Sequence, residues 1–192
     1  MDTAIVILAG GNSRRMGRDK LVMSLAGQTL LESAVRRFKD VFGEIHLSVA
    51  DVLKYPELSE HRIVDVIPGA GPLSGLHAAL KSLDCEGVFL VAADLPFASA
   101  HAAKRIIELG GDKDACIIKL PDGKIEPLFG FYRKTLLPRC EEAIKSGDFR
   151  MSGIVRAADT RFVSPRDLGS LWDDKLILNI NNPEDYEKLI NT

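Results

Sequence analysis

No apolar run in these 192 residues approaches the ~20 needed to cross a bilayer, and the amino terminus lacks the basic start and extended apolar core of a signal peptide. A membrane partner and an exported protein are therefore not expected, and the chain reads as cytoplasmic. Cysteine is scarce. Cys85, Cys116 and Cys140 are widely spaced with no C-x-x-C pair, which excludes a disulfide framework or zinc ribbon and fits reduced, buried thiols. Neither sign of charge dominates: 25 Lys and Arg against 27 Asp and Glu leave a net charge of −2. That balance excludes a general nucleic-acid binder, which needs a strongly basic surface. Histidine is sparse too. His46, His61, His77 and His101 show no metal-ligand spacing, so solvent or helix-surface positions are expected for them, and no Ser/His/Asp triad can be assembled.

Repeats, low-complexity tracts and long polar linkers are also missing, and a composition 46% hydrophobic and 27% charged suits one globular domain over residues 1–192. Apolar runs alternate with amphipathic segments, the pattern of a layered α/β protein with parallel strands and crossover helices. Strands are expected at residues 4–8, 44–49, 62–67, 88–92 and 115–119. Thr29-Leu30-Leu31-Glu32 has the capping-box form and opens a helix to about Lys39, whose stripe of Leu30, Leu31, Ala34, Val35 and Phe38 is core. Pro72 begins a second helix, and a third spans 98–109 before Gly110-Gly111. Further helices are expected at 134–145, 151–157 and 183–190. Pro121-Asp122-Gly123-Lys124 reads as a hairpin turn leading into 125–131, giving the second half a partly antiparallel character. The glutamate pair Glu141-Glu142 and the pair Asp173-Asp174 are read as solvated, and Trp172 as the anchor of a late loop.

What the chain does have is Leu8-Ala9-Gly10-Gly11-Asn12-Ser13-Arg14-Arg15-Met16-Gly17-Arg18-Asp19-Lys20, directly after Ala4-Ile5-Val6-Ile7. A buried strand followed at once by paired glycines must turn sharply and leaves backbone N–H groups free for phosphate oxygens. Arg14, Arg15, Arg18 and Lys20 supply more positive charge than a turn needs, and a polyanion is its natural partner. Two better-known phosphate loops are excluded. Lys20 is followed by Leu21 rather than Ser or Thr, so this is not a Walker loop, and no G-x-G-x-x-G follows the strand.

Asp94 is the leading acidic candidate, at the end of Gly87-Val88-Phe89-Leu90-Val91-Ala92-Ala93 and before Leu95-Pro96. A carboxylate there emerges where ligands of open α/β sheets lie and suits Mg²⁺ shared with phosphates; taken alone it would read as a helix cap. Asp65 follows Ile63-Val64 and either assists nucleotide or metal binding or closes the turn after it. Gly69-Ala70-Gly71-Pro72-Leu73-Ser74-Gly75 puts small residues and a proline before a helix, where backbone can approach a flat base.

These segments, with Ala93-Asp94-Leu95-Pro96-Phe97, Glu126-Pro127-Leu128-Phe129-Gly130-Phe131-Tyr132 and Asn179-Ile180-Asn181-Asn182-Pro183-Glu184-Asp185, resemble the molybdenum cofactor guanylyltransferases, in family order along nearly the whole chain. The resemblance implies a Rossmann-like three-layer α/β/α nucleotidyltransferase fold, mostly parallel with a partly antiparallel second half. Residues 1–110 would bind nucleotide and 111–192 the acceptor. It further implies nucleotide contacts from Leu8, Ala9, Gly10, Gly11, Lys20, Asp65, Pro72 and Leu73, and Mg²⁺ on Asp94. Lys20 and Arg15 would stabilise the leaving group. Asn179, Asn181 and Asn182, with Arg150, are pterin-side candidates, although the asparagines also suit a cap for the helix at Pro183. Glu126 either touches the second substrate or braces the sheet. Where the family usually carries Asn after its second strand, this chain reads Ser48-Val49-Ala50-Asp51, with Asp51 a substitute. The implied reaction is transfer of GMP from GTP to molybdopterin-type molybdenum cofactor, with transient contacts to cofactor-delivering or molybdoenzyme-specific proteins. A CTP-using relative, a sugar- or alditol-phosphate nucleotidyltransferase and a non-catalytic nucleotide-binding regulator are the alternatives.

Overall fold

The computed structural model describes residues 2–10, 20–22, 24–25, 27–65, 67 and 69–180. Strands β1 (Thr3–Leu8), β2 (Ser24–Leu25) and β3 (Gln28–Thr29) precede helix α1 (Leu30–Phe42), followed by β4 (His46–Val49), β5 (His61–Val64), α2 (Pro72–Ser82), β6 (Gly87–Ala92) and α3 (Ala100–Gly110). The second half holds β7 (Ala115–Lys119), β8 (Ile125–Arg133), α4 (Leu137–Ser146), α5 (Met151–Ala157), β9 (Thr160–Val163) and the short α6 (Pro165–Leu168). No helix among the described residues is long and apolar enough to cross a membrane.

Seven strands form one sheet in the order β5-β4-β1-β6-β8-β7-β9, while β2 and β3 make a separate two-stranded ribbon. Only β8 runs against its neighbours in the seven-stranded sheet. Strand period two divides the core. On β6, Phe89 and Val91 join the layer built by α1 and α3, whereas Val88 and Leu90 face the layer of α2, α4 and α5. Two helical layers around one sheet are the three-layer arrangement expected, and they explain why β6 is buried at every position.

Local signals are met where the chain decides its own ends. Thr29 Oγ1 accepts from Glu32 N at 3.1 Å and Glu32 Oε2 accepts from Thr29 N at 2.7 Å, closing the capping box of α1. The five residues of its expected stripe are its buried face. The turn after β7 is a hairpin: Gly123, at φ +87°, and Leu120 close it through bonds to Leu120 O and Lys124 O.

Several expectations shift. α1 runs to Phe42 and stops at Gly43, with φ +76°, rather than near Lys39. β5 is His61–Val64, three residues short of the expected end at 67; Asp65 N still bonds to Val49 O, and residue 66 lies outside the described residues. α3 begins at Ala100, capped by Ser99 Oγ, and includes Gly110. The helix expected at 134–145 opens as a short 3₁₀ turn, Lys134–Leu136, before α4. β9 and α6 had no expected counterpart; β9 pairs in parallel with β7 and closes that edge. His77 is buried on α2, not on a helix surface, with Nε2 3.7 Å from Glu141 Oε1. Glu141 thus faces His77 and Lys81 rather than solvent alone. His46 and His61 are cross-strand neighbours with ring centroids 5.9 Å apart. Asp173 and Asp174 are exposed as expected, and also accept locally from Lys175 N and Trp172 Nε1 at 2.7 and 3.0 Å. The expected helix at 183–190 lies outside the described residues.

Candidate active site

β1 lies between β4 and β6, and the chain leaves it in one direction toward β4 and later returns to β6 on the other side. Their carboxyl ends therefore open a crevice at a topological switch point. Leu8 is level with Ser48 and with Ala92. Beyond the ladders, Ala9 N bonds to Ser48 O at 2.8 Å, Ala93 N to Leu8 O at 3.2 Å, and Asp65 N to Val49 O at 2.9 Å. Gly10 follows with no room to spare, since a Cβ there would stand 2.9 Å from Asp65 Oδ2. The Asp65 carboxyl accepts from Ser48 Oγ at 2.8 Å. Burial pushes its pKa up, and the Ser48 hydroxyl pulls it back down.

Across the crevice, Asp94 sits in the turn after β6. Leu95 N bonds to Ala92 O and Ala98 N to Leu95 O, both at 3.2 Å, while the Arg37 guanidinium of α1 reaches Leu95 O at 3.3 Å. Asp94 is not the cap of the following helix, because Ser99 holds that position with its side chain on Ala102 N. The peptide oxygen of Asp94 accepts from Ile180 N at 3.1 Å, which brings Asn179 to this turn from 85 residues further along the chain.

Glu126 joins the same end of the sheet through a bulge. One step along β7, from Ile117 to Ile118, corresponds on β8 to the jump from Gly130 to Glu126. Pro127, Leu128 and Phe129 are the surplus, and proline is tolerated there because the ladder is already broken. The bulge is locked at both ends: Tyr132 Oη donates to Pro127 O at 2.6 Å, and Leu128 N donates to Glu126 Oε1 at 2.9 Å. Burial raises the Glu126 pKa, the Leu128 N–H lowers it, and the negative charge of Asp94 raises it further. The two carboxyl groups are thus within electrostatic reach of each other.

The structure thus brings Leu8, Ala9, Gly10, Asp65, Asp94 and Asn179 to one crevice. Pro72 opens α2 at the same end, after Gly69 and Gly71, which take φ of +86° and +57°. Leu73 differs from its neighbour in that its side chain is fully buried in the α2 layer, leaving only its backbone for a ligand. Lys20 begins a short 3₁₀ turn, Lys20–Val22. Arg15, Gly11 and Asn181 lie outside the described residues, as do Arg14, Arg18 and Asn182. Asp51 is exposed, and its Oδ1 accepts from Leu53 N at 2.9 Å in a local turn. Arg150 forms a two-pronged ion pair with Asp148, both bonds 2.8 Å. Sequence reasoning missed Ser48, Tyr55 and Arg37, whose only signal is long-range: each bonds across 17 residues or more.

The described residues contain no cluster of three His, Cys, Asp or Glu side chains able to cage a metal ion. The hard carboxylate of Asp94 would suit a divalent cation that takes its remaining oxygen ligands from phosphates and water.

A parallel α/β crevice with Gly10 just after its first strand, Asp65 after β5 and Asp94 after β6 is the architecture of a nucleotidyltransferase. The chain belongs to the family of MobA-like NTP transferase domains, whose model matches residues 5–173. It is 33% identical, over 97% of this chain and 94% of the other, to a probable molybdenum cofactor guanylyltransferase of Carboxydothermus hydrogenoformans. A crystal structure of an Aquifex aeolicus protein superposes with a TM-score of 0.78 at 30% identity, covering 95% of this chain and 94% of that one. Molybdopterin-guanine dinucleotide biosynthesis protein A from Archaeoglobus fulgidus shares the fold with a TM-score of 0.82 at 24% identity, covering 96% and 95%.

Proposed function

We propose that the protein transfers GMP from GTP to a molybdopterin-type molybdenum cofactor, forming the guanine dinucleotide cofactor and pyrophosphate. The observation that carries this reading is the main-chain bond from Ile180 N to Asp94 O, which brings the Asn179 segment to the turn that carries Asp94. Relatives named for this activity support it along nearly the full chain.

The acceptor's terminal phosphate attacks the α-phosphorus of GTP in line and pyrophosphate leaves. A phosphate nucleophile is already ionised near neutrality, so positioning and charge neutralisation suffice and no general base is required. Residues 1–110 hold the nucleotide. Backbone of Leu8 and Ala9, with Pro72 and Leu73 at the start of α2, meets the base and ribose, with Asp65 beside them. Gly10 and Gly11 hold the β- and γ-phosphates, and Arg15 and Lys20 offset the charge that grows on the leaving group. Asp94 would hold Mg²⁺, which would supply positive charge to the phosphates undergoing transfer. Residues 111–192 serve the acceptor, with Glu126 on its side of the centre and Asn179 and Asn181 offering amide donors and acceptors to the pterin. Three free cysteines accord with a cytoplasmic setting, where the product would pass to cofactor-delivering or molybdoenzyme-specific proteins.

Calorimetric titration with GTP, CTP, ATP and UTP, each with Mg²⁺, tests the reading. Selective GTP binding followed by release of pyrophosphate on adding the pterin acceptor is the expected result. Selective CTP binding would replace the guanylyl reading with a cytidylyl one.

A further inference from the structure

Tyr55 is the only described residue other than glycine with a positive φ, at +55°. The conformation is doubly disfavoured, by the tyrosine Cβ and by Pro56 after it, since a residue before proline is pushed to extended backbone. Such a position persists only where its surroundings over-determine it, and here they are visible. Arg62 of β5 donates to Tyr55 O at 2.5 Å, Leu58 O at 2.9 Å, Lys54 O at 3.1 Å and Glu60 O at 3.2 Å. One guanidinium thereby gathers the carbonyls of the β4–β5 loop.

The held loop directs the phenol inward. Tyr55 is 5% exposed, and its hydroxyl donates to Ala9 O at 3.1 Å. The Ala9 N–H is bonded to Ser48 O at 2.8 Å, so both peptide groups of the residue that leaves β1 are tied to the β4–β5 side. Gly10 then passes Asp65 without space for a side chain.

We infer that Tyr55 is a positioning residue for the nucleotide: strained by its loop and held by Arg62, it fixes the peptide from which the phosphate-binding turn departs. This inference rests on the nucleotidyl-transfer reading above. Because the phenol touches backbone at the root of the nucleotide-side turn and no acceptor-side group, its loss should weaken triphosphate binding and leave acceptor binding intact.

Tyr55→Phe keeps the ring and the loop and deletes one hydroxyl. The expected result is a GTP Kd and KM raised about five- to tenfold, the equivalent of one lost hydrogen bond, with the KM for the pterin acceptor within about twofold of wild type. Arg62→Lys, which retains charge and loses the fork, should move the GTP constants in the same direction. A Tyr55→Phe protein with lowered Tm but unchanged GTP affinity would overturn the inference and make the phenol a packing group alone. The wild-type control separates this from failure of the functional reading. Wild type selective for CTP would defeat the guanylyl assignment, and the same Tyr55→Phe comparison run with CTP would still decide the positioning role. Wild type that binds no triphosphate would end both.

Discussion

Ser48 and Asp65 share a hydrogen bond of 2.8 Å across the carboxyl ends of β4 and β5, with Ser48 wholly buried. A carboxyl group is thereby held at the crevice in surroundings that disfavour its charge. Burial raises its pKa in the folded state above the unfolded value near ~3.9, so folding is linked to proton uptake there. The sign follows: the group penalises folding above its folded pKa, and the penalty fades as pH falls toward the unfolded value. Asp65→Asn keeps an oxygen for the Ser48 hydroxyl and removes the charge. Its Tm should exceed wild type at pH 7, and the gap should close in melts taken toward pH 4. GTP affinity should fall in the same variant. A variant less stable than wild type at every pH would mean that the charge itself holds the crevice.

Gly87 begins β6 where it meets β8. A Cβ there would lie 2.6 Å from Phe131 Cε2 and 2.8 Å from Tyr132 O. The ring could yield; the carbonyl cannot, because it belongs to the ladder. Gly87→Ala should therefore cost about 2 kcal/mol, as overpacking does, and Gly87→Ala with Phe131→Leu should recover only part of it in denaturant unfolding. Full recovery would assign the whole strain to the ring.

How much of this was legible in the sequence depends on the range of the interaction that decides each feature. The capping box at Thr29 and Glu32 spans three residues, and the hairpin at Pro121 to Lys124 four; both were readable because the chain resolves them locally. β6 was readable because burial on two faces writes one continuous apolar run. β9 was not: Thr160-Arg161-Phe162-Val163 is short and half polar, and only its pairing with β7 makes it a strand. At the site, Asp94 stood out because its position at a strand end is local. Glu126 was visible only as part of a motif, because the bulge that aims it comes from the register between two strands.

The cysteines give a test of the core. Burial pushes the thiols of Cys116 and Cys140 up to about 12, and that of Cys85 upward as well. Thiolate is the reactive form, so the native protein should react slowly with a disulfide reagent at pH 8, Cys85 first because only it is partly exposed. All three should react at once in denaturant. Rapid native labelling of Cys116 or Cys140 would contradict the burial of Cys116 in the α3 layer and of Cys140 on the inward face of α4.

Asp94 offers the sharpest separation of chemistry from folding. Its turn is set by the bonds of Ala93 N to Leu8 O, Leu95 N to Ala92 O and Ile180 N to Asp94 O, together with Arg37 on Leu95 O. All of these use main-chain groups that an amide side chain leaves in place. Asp94→Asn should therefore keep its Tm within a few degrees of wild type while kcat falls by about a hundredfold or more, the order expected when a charge acting on the transition state is removed. Manganese binding in the presence of GTP, followed by electron paramagnetic resonance, should weaken in parallel. Retained turnover with weakened manganese binding would uncouple the cation from the reaction. Lost turnover with unchanged manganese binding would move the cation to other ligands and leave Asp94 to orient the phosphates.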